Sequence, residues 1–569
     1  MSSLQPRPAV RRSLARPHLR ERIEATPLSA EARALALREL DQIEELGPAH
    51  SIAPRAHLEW LLSLPWRQSG ARRPAIAPRR VVKALDRSHL GLKAVKERIA
   101  EYLAVHRLRG AAGGDVLGFV GPPGTGKTSL ARALALALGR PFVWIPVGAV
   151  TAESELVGVP MNQPGAMPGA ILEGLRRAGS SDAVVVLDEL DKLQLGASGE
   201  ALGALLGLFD REARSEFFDR YLGLPFDLSG CLIVATAHDT EEMPEALLDR
   251  LDVVDFSGYS EEEKARIARR HLVPGARAQA GVSAKQFRLT GGALNRLLTH
   301  YTEEAGVRQL ERQLCALARK AAMRVVQGRA GLAVQQKDLA ELLGPASRDE
   351  ELRARRPALG AATGLAWTSA GGTLLPVEAL AAPGSGKTKI TGQVGEILRE
   401  SVETAVSCVR SLAQRSGASL LDERDLHLHF PSSAVPKDGP SAGLAIAVAL
   451  YSLCSRRRVR HDVALTGELT LYGAVLPIGG VREKLLAARR AGLREVIVPE
   501  GNGQDLLQLP VELRKAVKIH RVSNLEQALA IALTKGKSRS NDSVDARPYY
   551  EPKSAARARK RRARGTQAD

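Results

Sequence analysis

Cysteine is scarce in this chain: of 569 residues only Cys231, Cys315, Cys408 and Cys454 are cysteine, far apart and in no C-x-x-C pair. That excludes a disulfide scaffold, argues against a zinc ribbon and fits a reducing compartment. Long hydrophobic runs are also missing. The longest, Ala442 to Leu453, is about twelve residues where a bilayer needs ~20. It reads as a buried helix, so no membrane partner is expected and the expected location is cytoplasmic. The N-terminus has no apolar core of a secretory signal. Residues 1–20 are Arg-rich and lack acids. This superficially matches an organellar transit peptide, but reads as a disordered basic arm. No internal repeat stands out.

What is present belongs to an ordinary folded protein. Hydrophobic residues make up 44% and charged residues 25%, which excludes a wholly disordered or collagen-like chain. The length suggests about three to five domains. Lys and Arg number 81 against 63 Asp and Glu, a net charge of +18. Much of the excess sits at the ends: residues 535–569 carry +7 and residues 1–24 carry +4. The tail includes Arg557-Ala-Arg-Lys-Arg-Arg-Ala-Arg564 without hydrophobic periodicity, as in a disordered segment. Such a run fits either nucleic-acid contact through counterion release or a solvated tail with no specific partner.

The pattern along the chain predicts a multidomain α/β protein. Residues 1–30 are expected to be a disordered basic arm. Residues 31–83 are read as short helices and a linker, with Ser29 capping a helix that stops at Gly47-Pro48, a second helix near Arg55–Leu64, and a Pro/Arg-rich linker over Gln68–Arg80. Strands alternate with helices over 84–260, as in a parallel sheet covered by helices. The segment 261–345 is helical with little strand signal, and 346–362 is a polar linker. A second α/β unit spans 363–536, followed by a disordered tail over 537–569.

The strand Val116–Val120 runs directly into Gly121, Pro122, Pro123, Gly124, Thr125, Gly126, Lys127 and Thr128, and then into a helical run ending at Gly139. This is strand, G-x-x-x-x-G-K-T, helix in the order a phosphate loop needs. The glycines let backbone N–H groups turn toward phosphates, and the helix N-terminus adds its positive dipole end. Lys127 is placed to reach the β- and γ-phosphates, and the Thr128 hydroxyl to ligate Mg2+. The apolar strand Ala183–Leu187 ends in Asp188 and Glu189. Asp188 is the expected holder of the Mg2+ shell and Glu189 the residue that polarises the attacking water. Ala381-Ala-Pro-Gly-Ser-Gly-Lys-Thr388 is a decoy. It starts on Ala, no helix follows directly, and it reads as a turn between strands.

Near the C-terminus, Ser441 in Pro436-Lys-Asp-Gly-Pro-Ser-Ala-Gly443 sits at a Gly/Pro-rich turn that opens a long apolar helix. A serine so placed has an exposed Oγ near backbone donors, as a nucleophile needs, or is an ordinary N-cap. Lys484 falls on the first turn of the helix that follows Leu476-Pro-Ile-Gly-Gly480. It acts as a general base only if burial and the helix dipole lower its pKa by about three units. Ser-Lys is a known variant of the nucleophile–base pair, but from spacing alone a solvated helix lysine is the default. His427 and His429 alternate on a strand and read as packing or hydrogen-bonding residues, His429 being the better placed to line the cleft.

Taken together, these stretches resemble the ATP-dependent Lon proteases, an AAA+ ATPase fused to a Ser-Lys peptidase. The resemblance runs from about Glu31 to Leu533. It rests on the phosphate loop, on Leu187-Asp-Glu-Leu-Asp-Lys192, Ala246-Leu-Leu-Asp-Arg250, Glu304-Ala-Gly-Val-Arg308 and Gly364-Leu-Ala-Trp-Thr368. The Ser441 stretch, Leu465-Thr-Gly-Glu-Leu-Thr-Leu-Tyr-Gly473 and Leu476–Leu485 complete it. It implies a P-loop AAA+ parallel sheet with a helical lid subdomain, then an α/β Lon-type peptidase domain. It implies Ser441 as nucleophile, Lys484 as base and Thr466 bonding and orienting the lysine. It further implies ATP and Mg2+ as cofactors, Arg250 reaching the γ-phosphate of a neighbouring subunit in a ring, expected to be a hexamer, Arg308 as a nucleotide sensor, and unfolded or damaged proteins as substrates.

Three departures stand against that pattern. The family carries several hundred residues ahead of its phosphate loop, where this sequence has 120. Residues 31–66 resemble only the last helices of that region, so an adaptor or the basic ends are left to choose substrates. The pore loop has Gln163-Pro164 where the family has a Tyr and a hydrophobic residue, which predicts weak translocation of stably folded substrates, with Phe217 and Phe218 as replacement aromatics. His238 stands where the family has a polar Asn sensor, which predicts a slow, pH-sensitive ATPase. The leading expectation is an ATP-driven serine endopeptidase. The alternative is a remodelling or DNA-associated AAA+ ATPase using the Lon-like domain as scaffold.

Overall fold

The computed structural model describes residues 17–66, 77–109, 115–193, 200–240, 243–346, 357–368, 371–415, 424–431, 437–509 and 511–535. The basic ends, the core of the 346–362 linker and most of the 68–80 linker lie outside them. The chain divides into two compact units: residues 1–121 with 126–256, and residues 122–125 with 257–569.

The first unit begins with three helices, α1 (Pro17–Ala25), α2 (Ala30–His50) and α3 (Ile52–Ser63), followed by α4 (Pro78–Ser88) and α5 (Lys93–Arg109). Its strands are β1 (Val116–Val120), β2 (Phe142–Pro146), β3 (Val184–Asp188), the small hairpin β4 (Phe217–Asp219) and β5 (Leu224–Phe226), β6 (Leu232–Ala237) and β7 (Leu251–Asp255). The main sheet has order β2-β3-β6-β1-β7, and all its pairings are parallel. Its central strands β1, β3 and β6 are buried on both faces, as covered parallel sheets are. Leu117, Phe119, Val184, Val186 and Val234 pack with α4, α5 and α6 (Lys127–Leu138), whereas Val185, Leu187 and Ile233 share the opposite core with α1–α3.

Three sequence expectations change here. Residues 17–25 of the arm expected over 1–30 are helical, because Leu19 and Ile23, one turn apart, bury into the core at about 1.5–3 kcal/mol each. Helix α2 is capped by the Ser29 hydroxyl as expected, at 3.1 Å from Ala32 N, but runs through Gly47-Pro48 to His50. The expected linker to Arg80 ends early, since Pro78 starts α4 at the position where a missing N–H costs nothing.

The second unit holds a helical part and a mixed sheet. The helical part includes α7 (Glu261–Ile267), the two parallel strands β8 (Phe287–Leu289) and β9 (Leu332–Val334), and α8 (Arg308–Val326). Next come β10 (Ala361–Thr368), β11 (Gly371–Pro383), β12 (Thr388–Thr391), α9 (Glu396–Arg415), β13 (Arg424–His429) and α10 (Gly443–Ser455). The chain ends on β14 (Val463–Leu465), the ribbon β15 (Glu468–Leu469) and β16 (Val475–Leu476), α11 (Val481–Arg490), β17 (Glu495–Pro499) and β18 (Lys518–Val522). The seven-stranded sheet has order β12-β13-β11-β10-β14-β17-β18. β10, β11 and β13 are antiparallel neighbours, and the remaining pairings are parallel. The apolar run predicted as a buried helix is α10, buried from Gly443 through Leu450. The decoy loop is the turn between β11 and β12, where Asp425 accepts from Ser385 N and Lys387 N at 2.9 Å each.

Candidate functional site

Two sites emerge. In the first unit, β1 delivers the chain into the phosphate loop and α6 leaves it. Gly126, left-handed at φ 97°, places Lys127 at the first helical position. Lys127 is 8% exposed, and its ammonium donates to Gly121 O at 2.5 Å. Burial pushes its pKa down to about 8, against the pull of Asp191, Asp188 and Glu189. The Thr128 hydroxyl donates to Asp188 Oδ1 at 2.9 Å, the Trp144 indole donates to Oδ2 at 2.9 Å, and the Thr236 hydroxyl donates to Oδ1. The structure therefore joins Lys127, Thr128, Asp188 and Glu189 as the motifs require.

Glu189 takes a left-handed backbone, φ 59°, rare for a residue with a side chain. Its N–H donates to Thr236 Oγ1 at 3.2 Å. Strain of this kind concentrates where a side chain must be aimed. His238 lies on the same rim, its Nδ1 2.9 Å from Asp191 Oδ2. Burial works to raise the Asp191 carboxyl, but the His238 hydrogen bond and charge outweigh it and hold the pKa below the usual value. Arg250 donates to Ala246 O at 2.7 Å, within its own turn.

Residues Pro122, Pro123, Gly124 and Thr125 fall with the second unit. Thr125 is buried, and its hydroxyl donates to Pro122 O at 2.8 Å. The Tyr259 hydroxyl donates to Thr125 O at 2.6 Å, and Val307 N–H donates to Gly124 O at 3.0 Å. Arg308 follows directly, at the start of α8; a Cβ on Gly124 would stand 3.0 Å from the Arg308 Cβ.

The second site is built on α10, β14 and α11. Ser441 lies in a single 3-10 turn, Pro440–Ala442, that leads into α10. The Asp438 carboxylate braces the approach, accepting from Leu398 N and Gly439 N at 2.8 Å each. The Ser441 carbonyl accepts from Gly467 N at 2.9 Å and from the Thr466 hydroxyl at 3.3 Å. Lys484 is on the first turn of α11 after Gly480, left-handed at φ 67°. It is 3% exposed, and burial lowers its pKa to about 8, with Glu483 opposing weakly. The solvated-lysine reading does not survive this burial.

The expected bond from Thr466 to Lys484 is not formed. Thr466, just past the end of β14, is fully buried beside the Ser441 turn, and its hydroxyl donates to that carbonyl. No hydrogen bond joins the Lys484 amine to Ser441 or Thr466 among the described residues. His427 Nε2 and His429 Nδ1 share the Thr391 hydroxyl at 3.0 and 2.8 Å, the bonding role expected of them. Phe217 is buried, and only Phe218 is exposed, because the two alternate across β4. Gln163 and Pro164 are both exposed, in a loop closed by pairing of Val159 with Met167. Trp144, Asp191, Thr236 and Tyr259 are site residues that the motifs did not reveal.

The oxygens of Thr128 and Asp188 form a hard donor set, the kind a Mg2+ accompanying a nucleotide takes. Among the described residues no cluster of three or more His, Cys, Asp or Glu suits another metal.

Comparison with known proteins follows the same division. Residues 117–259 match the family model of the ATPase family associated with various cellular activities (AAA), residues 278–334 that of the Lon protease AAA+ ATPase lid domain, and residues 333–535 that of the Lon protease (S16) C-terminal proteolytic domain. The chain is 43% identical over 534 residues to Lon protease 2 of Thermus thermophilus, covering 91% of this chain and 66% of that protein. It is 44% identical over 522 residues to the Lon protease of Syntrophus aciditrophicus, with 91% and 66% covered. To the Lon protease of Roseiflexus castenholzii it is 45% identical over 522 residues, with 90% and 65% covered. The chain thus spans just under two thirds of the length of these relatives.

Proposed function

Because the chain belongs to the Lon protease family, we propose that it is an ATP-dependent serine endopeptidase that draws unfolded or damaged proteins to a Ser441–Lys484 dyad. The observation that carries the peptidase reading is Lys484, a lysine buried at a helix start whose pKa falls to about 8. A neutral amine is available there near physiological pH, which a solvated lysine does not offer. Ser441 Oγ attacks the scissile carbonyl carbon, and Lys484 Nζ takes the hydroxyl proton. The C–N bond then breaks, and the lysine returns the proton to the leaving amine. Water deacylates the serine by the same route in reverse. Thr466 fixes the carbonyl of Ser441 and so the setting of the nucleophile.

On the nucleotide side, Gly121, Pro122, Pro123, Gly124, Thr125 and Gly126 form the backbone cradle, and Lys127 meets the β- and γ-phosphates. Thr128 and Asp188 would hold a Mg2+ ion, which would supply neutralisation of developing phosphate charge. Glu189 orients the attacking water, and His238 senses the γ-phosphate side through Asp191. Arg308 serves within the subunit. Arg250, which donates to Ala246 O of its own turn, serves the nucleotide of a neighbouring subunit in a homo-oligomeric ring of six.

The proposed site of action is the cytoplasm. No helix among the described residues is long and apolar enough to cross a membrane. The basic ends are proposed as an auxiliary nucleic-acid contact. The scaffold-only ATPase is not favoured, since the proteolytic-domain match covers both Ser441 and Lys484. The test is degradation of casein with ATP and Mg2+, with ADP, or without nucleotide, beside Ser441→Ala. Cleavage stimulated by ATP and lost in the variant is expected. ATP hydrolysis without any Ser441-dependent cleavage would overturn the reading.

A further inference from the structure

The helix that carries Lys484 also carries three arginines, two of which, Arg482 and Arg489, leave it toward the stretch that opens α7, all within the second unit. Arg482 Nη1 donates to the Ser257 hydroxyl at 2.6 Å, and its Nη2 stands 3.8 Å from Glu263 Oε2. Arg489 bonds the Glu262 carboxylate, and Arg490 bonds Gly372 O. These partners are not scattered. Ser257, Glu262 and Glu263 belong to one short stretch that opens α7, and Glu263 closes the capping box on Ser260 that starts the helix.

The same stretch reaches the phosphate loop. Tyr259 lies between Ser257 and Glu262; its hydroxyl donates to Thr125 O, and its N–H donates to Ala305 O at 2.9 Å. A Cβ on Gly372, at the start of β11, would stand 1.9 Å from Glu483 O, so the backbone of α11 rests on β11 with no slack. A displacement of 257–263 therefore moves α11 as a body rather than one side chain.

We propose that the Ser257–Glu263 segment, gripped by Arg482 and Arg489 of α11, is the linkage through which occupancy of the phosphate loop sets the position of Lys484. The inference rests on the Ser–Lys peptidase reading given above. Arg482, Arg489, Ser257 and Glu262 are positioning residues: they touch neither substrate nor nucleotide and act through the helix that bears the base. Arg489–Glu262 is a partly exposed pair of little static worth. Its role is to transmit, and a contiguous path demands a coupling measurement.

The experiment uses the full chain and a short unstructured fluorogenic peptide that needs no unfolding. Cleavage is followed without nucleotide, with ADP, and with a non-hydrolysable ATP analogue plus Mg2+. In the parent the analogue is expected to raise kcat, not lower KM, by about 5–150-fold. Ser257→Ala combined with Glu262→Ala is expected to keep nucleotide-free cleavage and ATP hydrolysis, while stimulation drops below about threefold. Glu262→Arg alone is expected to uncouple, and Glu262→Arg with Arg489→Glu to recover stimulation. Stimulation of the double-alanine variant equal to the parent overturns the proposal. So does a reversed pair no better than the single reversal, or loss of nucleotide-free cleavage in the double-alanine variant, which makes the contact merely structural. A parent with no Ser441-dependent cleavage in any nucleotide state takes down the peptidase reading itself, a result distinct from the others.

Discussion

Lys127 and Lys484 are nearly the same residue twice. Each follows a left-handed glycine, Gly126 or Gly480, and lies in the first turn of a helix. Each is buried, and each is driven down to about pKa 8 by desolvation. What differs is the company. Three carboxylates, Asp191, Asp188 and Glu189, pull Lys127 back toward its charged form, and it donates to Gly121 O. Among the described residues Lys484 has Glu483 alone against it. Incoming phosphates would restore the charge on the first lysine, whereas at the second Glu483 opposes the fall weakly. In the proposed function the same local frame would serve as a cation for binding anions in one place and as a neutral amine for taking protons in the other.

The sharpest way to break this comparison is to put arginine at both positions, because arginine stays charged at all working pH values. Lys484→Arg is expected to cost peptide cleavage about 10²–10⁴-fold, the usual worth of a general base, with ATP hydrolysis retained. Lys127→Arg is expected to keep measurable nucleotide binding while hydrolysis slows. Retained cleavage in Lys484→Arg would sink the base assignment.

The pH dependence comes next in size. Lys484 must be neutral to act, so kcat/KM for a short peptide should climb roughly tenfold per pH unit up to about 8 and level off above it. ATP hydrolysis should lack that limb. A cleavage profile flat from pH 6 to 9 contradicts the pKa given to the base.

The smaller effects are on stability and on the sensor. A lysine pKa depressed on folding means that the unfolded chain binds the proton more tightly. Burial of the ammonium then destabilises most below about pH 8, and that cost fades between 8 and ~10.4. Lys484→Met should therefore raise stability at pH 7 by on the order of 2 kcal/mol, read as a higher midpoint in thermal unfolding. Lys127→Met should gain less or lose, because it leaves three carboxylates unopposed. His238→Asn removes the ionisable partner of Asp191. A rate change of about a fewfold and a flatter ATPase profile between about pH 5 and 8 are expected; an unchanged profile would remove any special role for the imidazole.

How much of this could be read from the sequence depends on how local each contact is. The phosphate loop was legible because strand, loop and helix are consecutive, and the run Ala183–Leu187 pointed to Asp188. Trp144 was not, because it reaches Asp188 only through the parallel register of β2 and β3, in which Pro146 lies opposite Asp188. Ser441 stood out at its turn, while Lys484 needed the resemblance, since its burial is made by elements distant in the chain. Thr466 was expected to bond and orient Lys484, whereas its buried hydroxyl, just past the end of β14, donates to the nearer Ser441 carbonyl. The arm over 1–30 misled because its Arg-rich composition masked Leu19 and Ile23, which only a core to bury in makes visible.

The position of β1 in its sheet sets the order in which this protein can be born. β1 lies between β6 and β7, both of which come later in the chain. The loop it feeds is closed from behind as well: a Cβ on Gly121 would meet Phe256 O at 2.1 Å. A ribosome therefore releases the whole phosphate-loop sequence long before anything exists to shape it, and the nucleotide pocket snaps into being only once Phe256 has left the exit tunnel. Until then the apolar strand Val116–Val120 is unpaired on at least one edge, the condition in which nascent chains aggregate and need chaperones. On the proposed function, the protein passes through its own synthesis in the very state of the chains it acts on.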